Sequence, residues 1–166
     1  MLLNTSARSD GRLPNALRPF RVEWDPMGFS LSSLPLLERL QAKNQVDQIF
    51  ISDSSVLSIE KKIAGLMQSM PIDFLKDHWQ KNNKLTFIGS IGAVVRLISP
   101  FVRSKENDPA ILVMDSKAKN VITLLGGHKQ GGDRFASELA ASLEAEVICT
   151  SDSFTVVFYT NLTLPP

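Results

Sequence analysis

Cysteine occurs once in these 166 residues, at Cys149, which excludes an internal disulfide framework and is compatible with a reducing, cytoplasmic location. Histidine occurs twice, at His78 and His128, so no zinc-type Cys/His cluster can be assembled and no metal site is expected. Charge of one sign is also lacking. Eighteen Lys and Arg stand against 17 Asp and Glu, which leaves no global field to recruit nucleic acid or an anionic membrane. No apolar run approaches the roughly 18 residues that a membrane helix requires. Internal repeats and low-complexity linkers are absent too, so any anion site must be local.

What remains is an ordinary globular composition, 43% apolar and 21% charged, at a length that suits one domain with its own core. From Leu34 onward short apolar strings alternate with helical patterns, which predicts an α/β fold: three layers, a mostly parallel sheet and helices on both faces. Ser33 and Pro35 open a helix with Leu36, Leu37 and Leu40 on its stripe. Gln48–Ser52 reads as a buried strand. Val56, Ile59, Ile63, Leu66 and Met67 recur at helical spacing and predict a helix over Ser55–Gln68, ended by Pro71. Phe74, Leu75, His78 and Trp79 suggest a further short helix. Leu85–Gly89 is a strand, and Ser90 caps a helix with Ile91, Val94, Val95, Ile98 and Phe101 inward.

Ala110–Asp115 and Val121–Leu125 are too close for an intervening helix, so this span, Ala110–Leu125, is expected to be an antiparallel hairpin. Phe135, Leu139 and Leu143 mark another helix, and Glu146–Thr150 a closing strand. The ends fit less well. The first twenty-one residues read as a flexible tail rather than a transit peptide, and Glu23, Asp25 and Pro26 are poor material for a buried first strand. Phe154–Thr160 is β-prone.

Two glycine clusters carry the candidate chemistry. Gly89-Ser90-Ile91-Gly92 sits where a strand meets a helix, where backbone N–H groups suit a carboxylate or phosphate. It lacks the third glycine of a dinucleotide fingerprint and the lysine of a P-loop, and tight packing of the turn explains its glycines equally well. Arg96, among apolar neighbours, either grips a carboxylate near that turn or reaches back to the surface. Lys105 and Asp108 precede the next strand, and Asp108 either takes part in a site or shapes the turn before Pro109. The second cluster is sharper. Gly126, Gly127, Gly131 and Gly132 surround His128, whose unperturbed pKa of about 6.5 fits a general base or a ligand; the plainer reading is a loop histidine.

Three ordered motifs resemble one family. They are G-x-x-G-A-V-V-R-L-I-S-P from Gly89, K-x-x-D-P-A-I-L-V-M-D from Lys105, and V-I-T-L-L-G-G-H-x-x-G from Val121. The stretch Leu34–Thr150 resembles the amino-terminal domain of CbiG, the cobalt-precorrin-5A hydrolase of cobalamin biosynthesis. The resemblance implies residues 28–152 as that domain, residues 1–27 as a flexible tail or imperfect first strand, and residues 153–166 as a divergent tail. It implies hydrolytic opening of a lactone on a cobalt-bearing tetrapyrrole with loss of acetaldehyde, the cobalt arriving with the substrate and no separate cofactor. Gly89, Gly92, Arg96, Lys105, Gly126, Gly127, Gly131 and Gly132 would then form the substrate face. His128 would activate water or hold the lactone carbonyl, oriented by Asp108 or Asp115. Where the family usually reads G-H-x-G-G-A-N, Gln130 replaces a glycine and Asp133 the asparagine. Family members continue into further domains, and some are fused to a precorrin methyltransferase. The expected partners are therefore the tetrapyrrole, with other cobalamin-pathway domains or a second copy of the chain. The alternative is a non-catalytic tetrapyrrole-binding or partner-binding module.

Overall fold

The computed structural model describes residues 24–43, 46, 48–52 and 63–151. The tail expected over the first twenty-one residues, the helix over 55–62 and the β-prone 154–160 lie outside them. Seven strands form one sheet: β1 (Trp24–Gly28), β2 (Ile49–Ser52), β3 (Leu66–Ser69), β4 (Lys84–Ile88), β5 (Ala110–Met114), β6 (Asn120–Leu125) and β7 (Glu146–Ile148). Four α-helices accompany them: α1 (Leu34–Ala42), α2 (Pro71–His78), α3 (Ile91–Ile98) and α4 (Gly132–Leu143). The strand order is β3-β2-β1-β4-β5-β6-β7, parallel throughout except for the expected antiparallel β5–β6 pair.

Period-two alternation along the strands divides the core into two layers. Leu85 and Phe87 of β4 and Ile111 and Val113 of β5 meet Phe74, Leu75, Val94 and Ile98 from α2 and α3. On the other face Ile88, Ala110, Leu112 and Met114 meet Leu36, Leu37 and Leu40 of α1 and Phe135, Ala136, Leu139 and Leu143 of α4. β5 is buried at every position, which is why AILVM reads as an unbroken apolar run. Trp24 closes this second layer edge-on to Phe135, with ring centres 5.2 Å apart.

Three expectations need correction. Trp24–Gly28 is an interior strand, flanked by β2 and β4, despite Asp25 and Pro26. Phe29 donates its N–H to Ile88, so by alternation the N of Pro26 faces β2, whose pairing with β1 starts only at Met27. The missing donor therefore falls where no partner is registered. Asp25 stays partly exposed, its Oδ2 4.0 Å from His78 Nε2. Second, Leu66–Ser69 is strand rather than the end of a helix. Its outer position in the sheet leaves Met67 45% exposed, so the apolar spacing there does not report a buried face. Pro71 then begins α2 instead of ending a helix, a first-turn position where its missing N–H costs nothing. Third, α3 buries Val94 and Ile98 but leaves Ile91 and Val95 more than 40% exposed, because only one narrow stripe of this short helix touches the sheet.

Candidate functional site

The expected site residues separate onto opposite edges of the sheet. Gly89 follows β4 at the edge where β1, β4 and β5 end. Gly126 follows β6, which runs the other way, so it lies beside Ala110 where β5 begins. Five strand residues, about 17 Å, separate the two edges.

At the first edge the cradle is filled. A Cβ on Gly89 would stand 2.8 Å from the ring of Phe29, so this glycine makes room for an aromatic side chain. Ser90 caps α3 by accepting the N–H of Ala93 at 3.3 Å. Arg96 is exposed and folds its guanidinium back onto the carbonyl of Gly92 at 3.2 Å, so it takes the surface reading. Asp115, also at this edge, lies far from His128 and cannot orient it. Its carboxylate accepts the N–H groups of Lys117, Lys119 and Asn120 at 2.8 to 3.3 Å and closes the β5–β6 turn, with Ala118 left-handed at φ 52°.

Partial burial pushes the Asp115 carboxyl up, yet the donated N–H groups outweigh it and hold the group below its ordinary value. A depressed folded pKa gives stability that is present above the unfolded value near 3.9 and lost as pH falls through the folded one. Asp115→Asn is accordingly expected to flatten the loss of stability below about pH 4. Urea midpoints of parent and variant at pH 7 and pH 3 provide the check, and equal losses in the two proteins would remove this role.

The second edge holds a cavity of about 570 Å³. One wall is the segment from Val102 to Asp108, the other the end of β6 and the glycine loop, and Thr150 and Ser151 close it beyond β7. A register shift between Ile111 and Leu112 kinks β6 just before the loop, placing Leu124 in the lining. Gly126 has φ +69°, and a Cβ there would meet the backbone of Pro109 and Ala110 at 2.9 Å. The loop then turns into α4 through Gly131 at φ +71°, with Gly132 and Asp133 donating to the carbonyls of Gly126 and Gly127.

Asp108 is buried at 4% exposure and is committed to its own loop. Its Oδ2 accepts the N–H of Arg103 at 2.8 Å and of Ser104 at 2.9 Å, and Oδ1 receives the Trp79 indole N–H at 3.4 Å. The turn-shaping reading holds; Asp108 builds the wall. Lys105 and His128 both line the cavity and are exposed. Lys129 pairs with Glu106 at 2.7 Å and holds that carboxyl below its ordinary value, while Gln130 donates to the carbonyls of Lys105 and Glu106. The long side chain at Gln130 thus ties the two walls together.

Sequence reasoning gave no role to Arg103, Thr123 or Cys149 and treated Asp133 only as a departure. Asp133 is 8% exposed, lines the cavity and lies over Gly127, where a Cβ would be 2.6 Å from both carboxylate oxygens. Burial pushes the Cys149 thiol up, and Asp133 pushes it further against the opposing Thr123 hydroxyl, 3.7 Å from Sγ. The signal available was Thr123, the one polar residue inside VITLL. Among the described residues, no group of three or more His, Cys, Asp or Glu is placed to hold a metal ion, and no helix is long and apolar enough to cross a membrane.

Residues 73–153 match the family described as cobalamin synthesis G N-terminal. This span contains β4 to β7 and both walls of the cavity. A stretch of 69 residues is 45% identical to the cobalt-precorrin-5A hydrolase of Priestia megaterium, covering 42% of this chain and 18% of that protein. Another of 67 residues is 40% identical to the enzyme of the same name from Salmonella typhimurium, covering 40% and 19%. The matched segment is therefore less than a fifth of the length of those relatives. A shorter stretch of 34 residues, 20% of this chain, is 56% identical to ribonuclease PH of Prochlorococcus marinus (strain MIT 9313). The solved structure of a cobalamin biosynthesis protein G homologue from Sulfolobus solfataricus superposes with a TM-score of 0.57 at 24% identity, covering 78% of this chain and 37% of that one. That likeness concerns the fold.

Proposed function

We propose, from the match of residues 73–153 to the cobalamin synthesis G amino-terminal family, that the cavity holds a cobalt-precorrin for hydrolytic opening of the lactone. The observation that carries this reading is the coincidence of the family match with the glycine-built cavity. That cavity is lined by Arg103 and Lys105, and no described residue pairs with either side chain. A tetrapyrrole rich in acetate and propionate groups offers carboxylates to these cations. His128 stands at the rim on a loop whose glycines let substrate approach the backbone. In the proposed reaction it takes a proton from water as the water adds to the lactone carbonyl. The ring C–O bond then breaks, giving a carboxylate and a hydroxyl; the hydroxyl next gives up its proton as the C–C bond between its carbon and the macrocycle breaks, so that acetaldehyde leaves and the bonding pair on the macrocycle is protonated. The cobalt is part of the substrate.

Anaerobic incubation with the cobalt-bearing lactone tests the proposal by mass and by trapped acetaldehyde. Turnover should give a corrinoid product whose mass is that of the substrate plus one water and minus one acetaldehyde, with the aldehyde trapped in equal amount. His128→Ala is expected to fold normally and to lower turnover about 100-fold, the size of a general-base contribution. Unchanged turnover in a folded variant would refute that role. The small share of the relatives that this chain matches favours one alternative, a tetrapyrrole-binding module that works beside other domains. Binding without acetaldehyde would select that alternative, and no binding at all would reject both.

A further inference from the structure

Asp133 is only 8% exposed, and a carboxylate so placed needs partners, of which it has few. Its own N–H is spent on Gly127, and no hydrogen bond from an N–H reaches its oxygens among the described residues. The groups beside it are the Cys149 thiol, a weak S–H donor that hydrogen-bonds the carboxylate, and the bare Cα of Gly127. The other buried acid of the cavity, Asp108, is saturated by three donors. Asp133 is thus an acceptor-only group facing the cavity, partly compensated by the first turn of α4. On the other wall, Arg103 and Lys105 are donor-only, and among the described residues no hydrogen bond or ion pair holds either side chain. The cavity is bipolar.

We infer that Asp133 is a ligand-recognition residue that accepts a hydrogen bond from a hydroxyl, so that the cavity is built for a hydroxy acid, hydroxyl toward Asp133 and carboxylate toward Arg103 and Lys105. The choice of ligand rests on the lactone reading above, because hydrolysis turns one ester into one hydroxyl and one carboxylate, the pair this cavity can receive. The acid also supplies selection. A second carboxylate placed against Asp133 would bring two like charges together and be refused, whereas a hydroxyl adds an O–H donor to oxygens that only the weak thiol donor otherwise reaches.

The test uses small probes and the intact chain, and so stands apart from turnover. Titrations with 5-hydroxypentanoate, glutarate and pentanoate, followed through the amide signals of Gly126, Gly127 and Asp133, should give an affinity order. The hydroxy acid is expected to bind about tenfold more tightly than either competitor, the fold-change of a single satisfied polar contact. Asp133→Asn, nearly equal in shape, should bring glutarate to within about twofold of the hydroxy acid, since the amide can also donate. Glutarate binding as well as the hydroxy acid to the parent protein, no response to any probe, or unaltered preference in a folded Asp133→Asn protein would each overturn the inference. Should that variant fail to fold, the parent's ranking of the three probes decides. Absence of lactone turnover alongside the expected ranking would fault the proposed reaction and leave the recognition role standing.

Discussion

Replacing Gly126 by alanine is expected to lower stability by about 3 kcal/mol, through left-handed backbone strain plus collision with a neighbouring strand. The backbone there has φ +69°, and the new methyl would lie 2.9 Å from the Pro109 carbonyl oxygen and the Ala110 Cα, atoms that cannot swing aside. For a chain of this size, such a loss corresponds to a fall in Tm of about 6 to 12 °C. Gly131 provides the internal control. Its φ of +71° is nearly identical, but nothing lies within 4 Å of a Cβ there. Gly131→Ala should cost only the conformational part, about 1 kcal/mol. Denaturant midpoints of the two variants separate the effects, and equal destabilisation would show that close approach to β5 is not what requires Gly126.

Removing the Asp108 carboxylate is the second large perturbation. Asp108→Ala leaves the N–H groups of Arg103 and Ser104 without their acceptor and frees the Trp79 indole, a loss of about 3 kcal/mol. Asp108→Asn keeps one acceptor oxygen and should lose about half as much. The segment they anchor carries Arg103 and Lys105, so affinity for anionic probes should fall in both variants, in the order of their instability. Urea unfolding followed by tryptophan fluorescence reports the first effect and probe titration the second. An Asp108→Ala protein as stable as its parent would contradict the anchoring role.

The hairpin, both glycine turns and the inward stripes of α2 and α4 follow directly from sequence. Period and turn chemistry are local properties, and Leu85–Gly89, Ala110–Asp115 and Phe135 to Leu143 needed nothing more. Leu66 and Met67 misled because an outer strand of four residues carries too few side chains to distinguish period two from period 3.6. Pro26 misled because whether a missing N–H matters depends on which neighbour it faces, a matter of register. The division of the candidate site was already implicit in the expected antiparallel pair. If β6 returns along β5, its end cannot share an edge with the end of β4, so Gly89 and His128 could not have met. Asp133 was harder to value, because an acid at the start of a helix is ordinarily solvated, whereas this one lies over Gly127 and against Cys149.

The interior place of β1 has a consequence for how the chain acquires its structure. From Lys84 to Ile148 the sheet grows by neighbours in sequence, β4 to β5 to β6 to β7, across connections of about twenty residues or fewer. Pairing of β1 with β4 instead joins Trp24 to Lys84 across some sixty residues, with the entropy of a long loop against it. Folding rates fall as such distant contacts accumulate, so the β4–β7 portion should order early and the insertion of β1 should come late. Both walls of the cavity lie within the early portion, which assembles most of the binding surface before the sheet is complete.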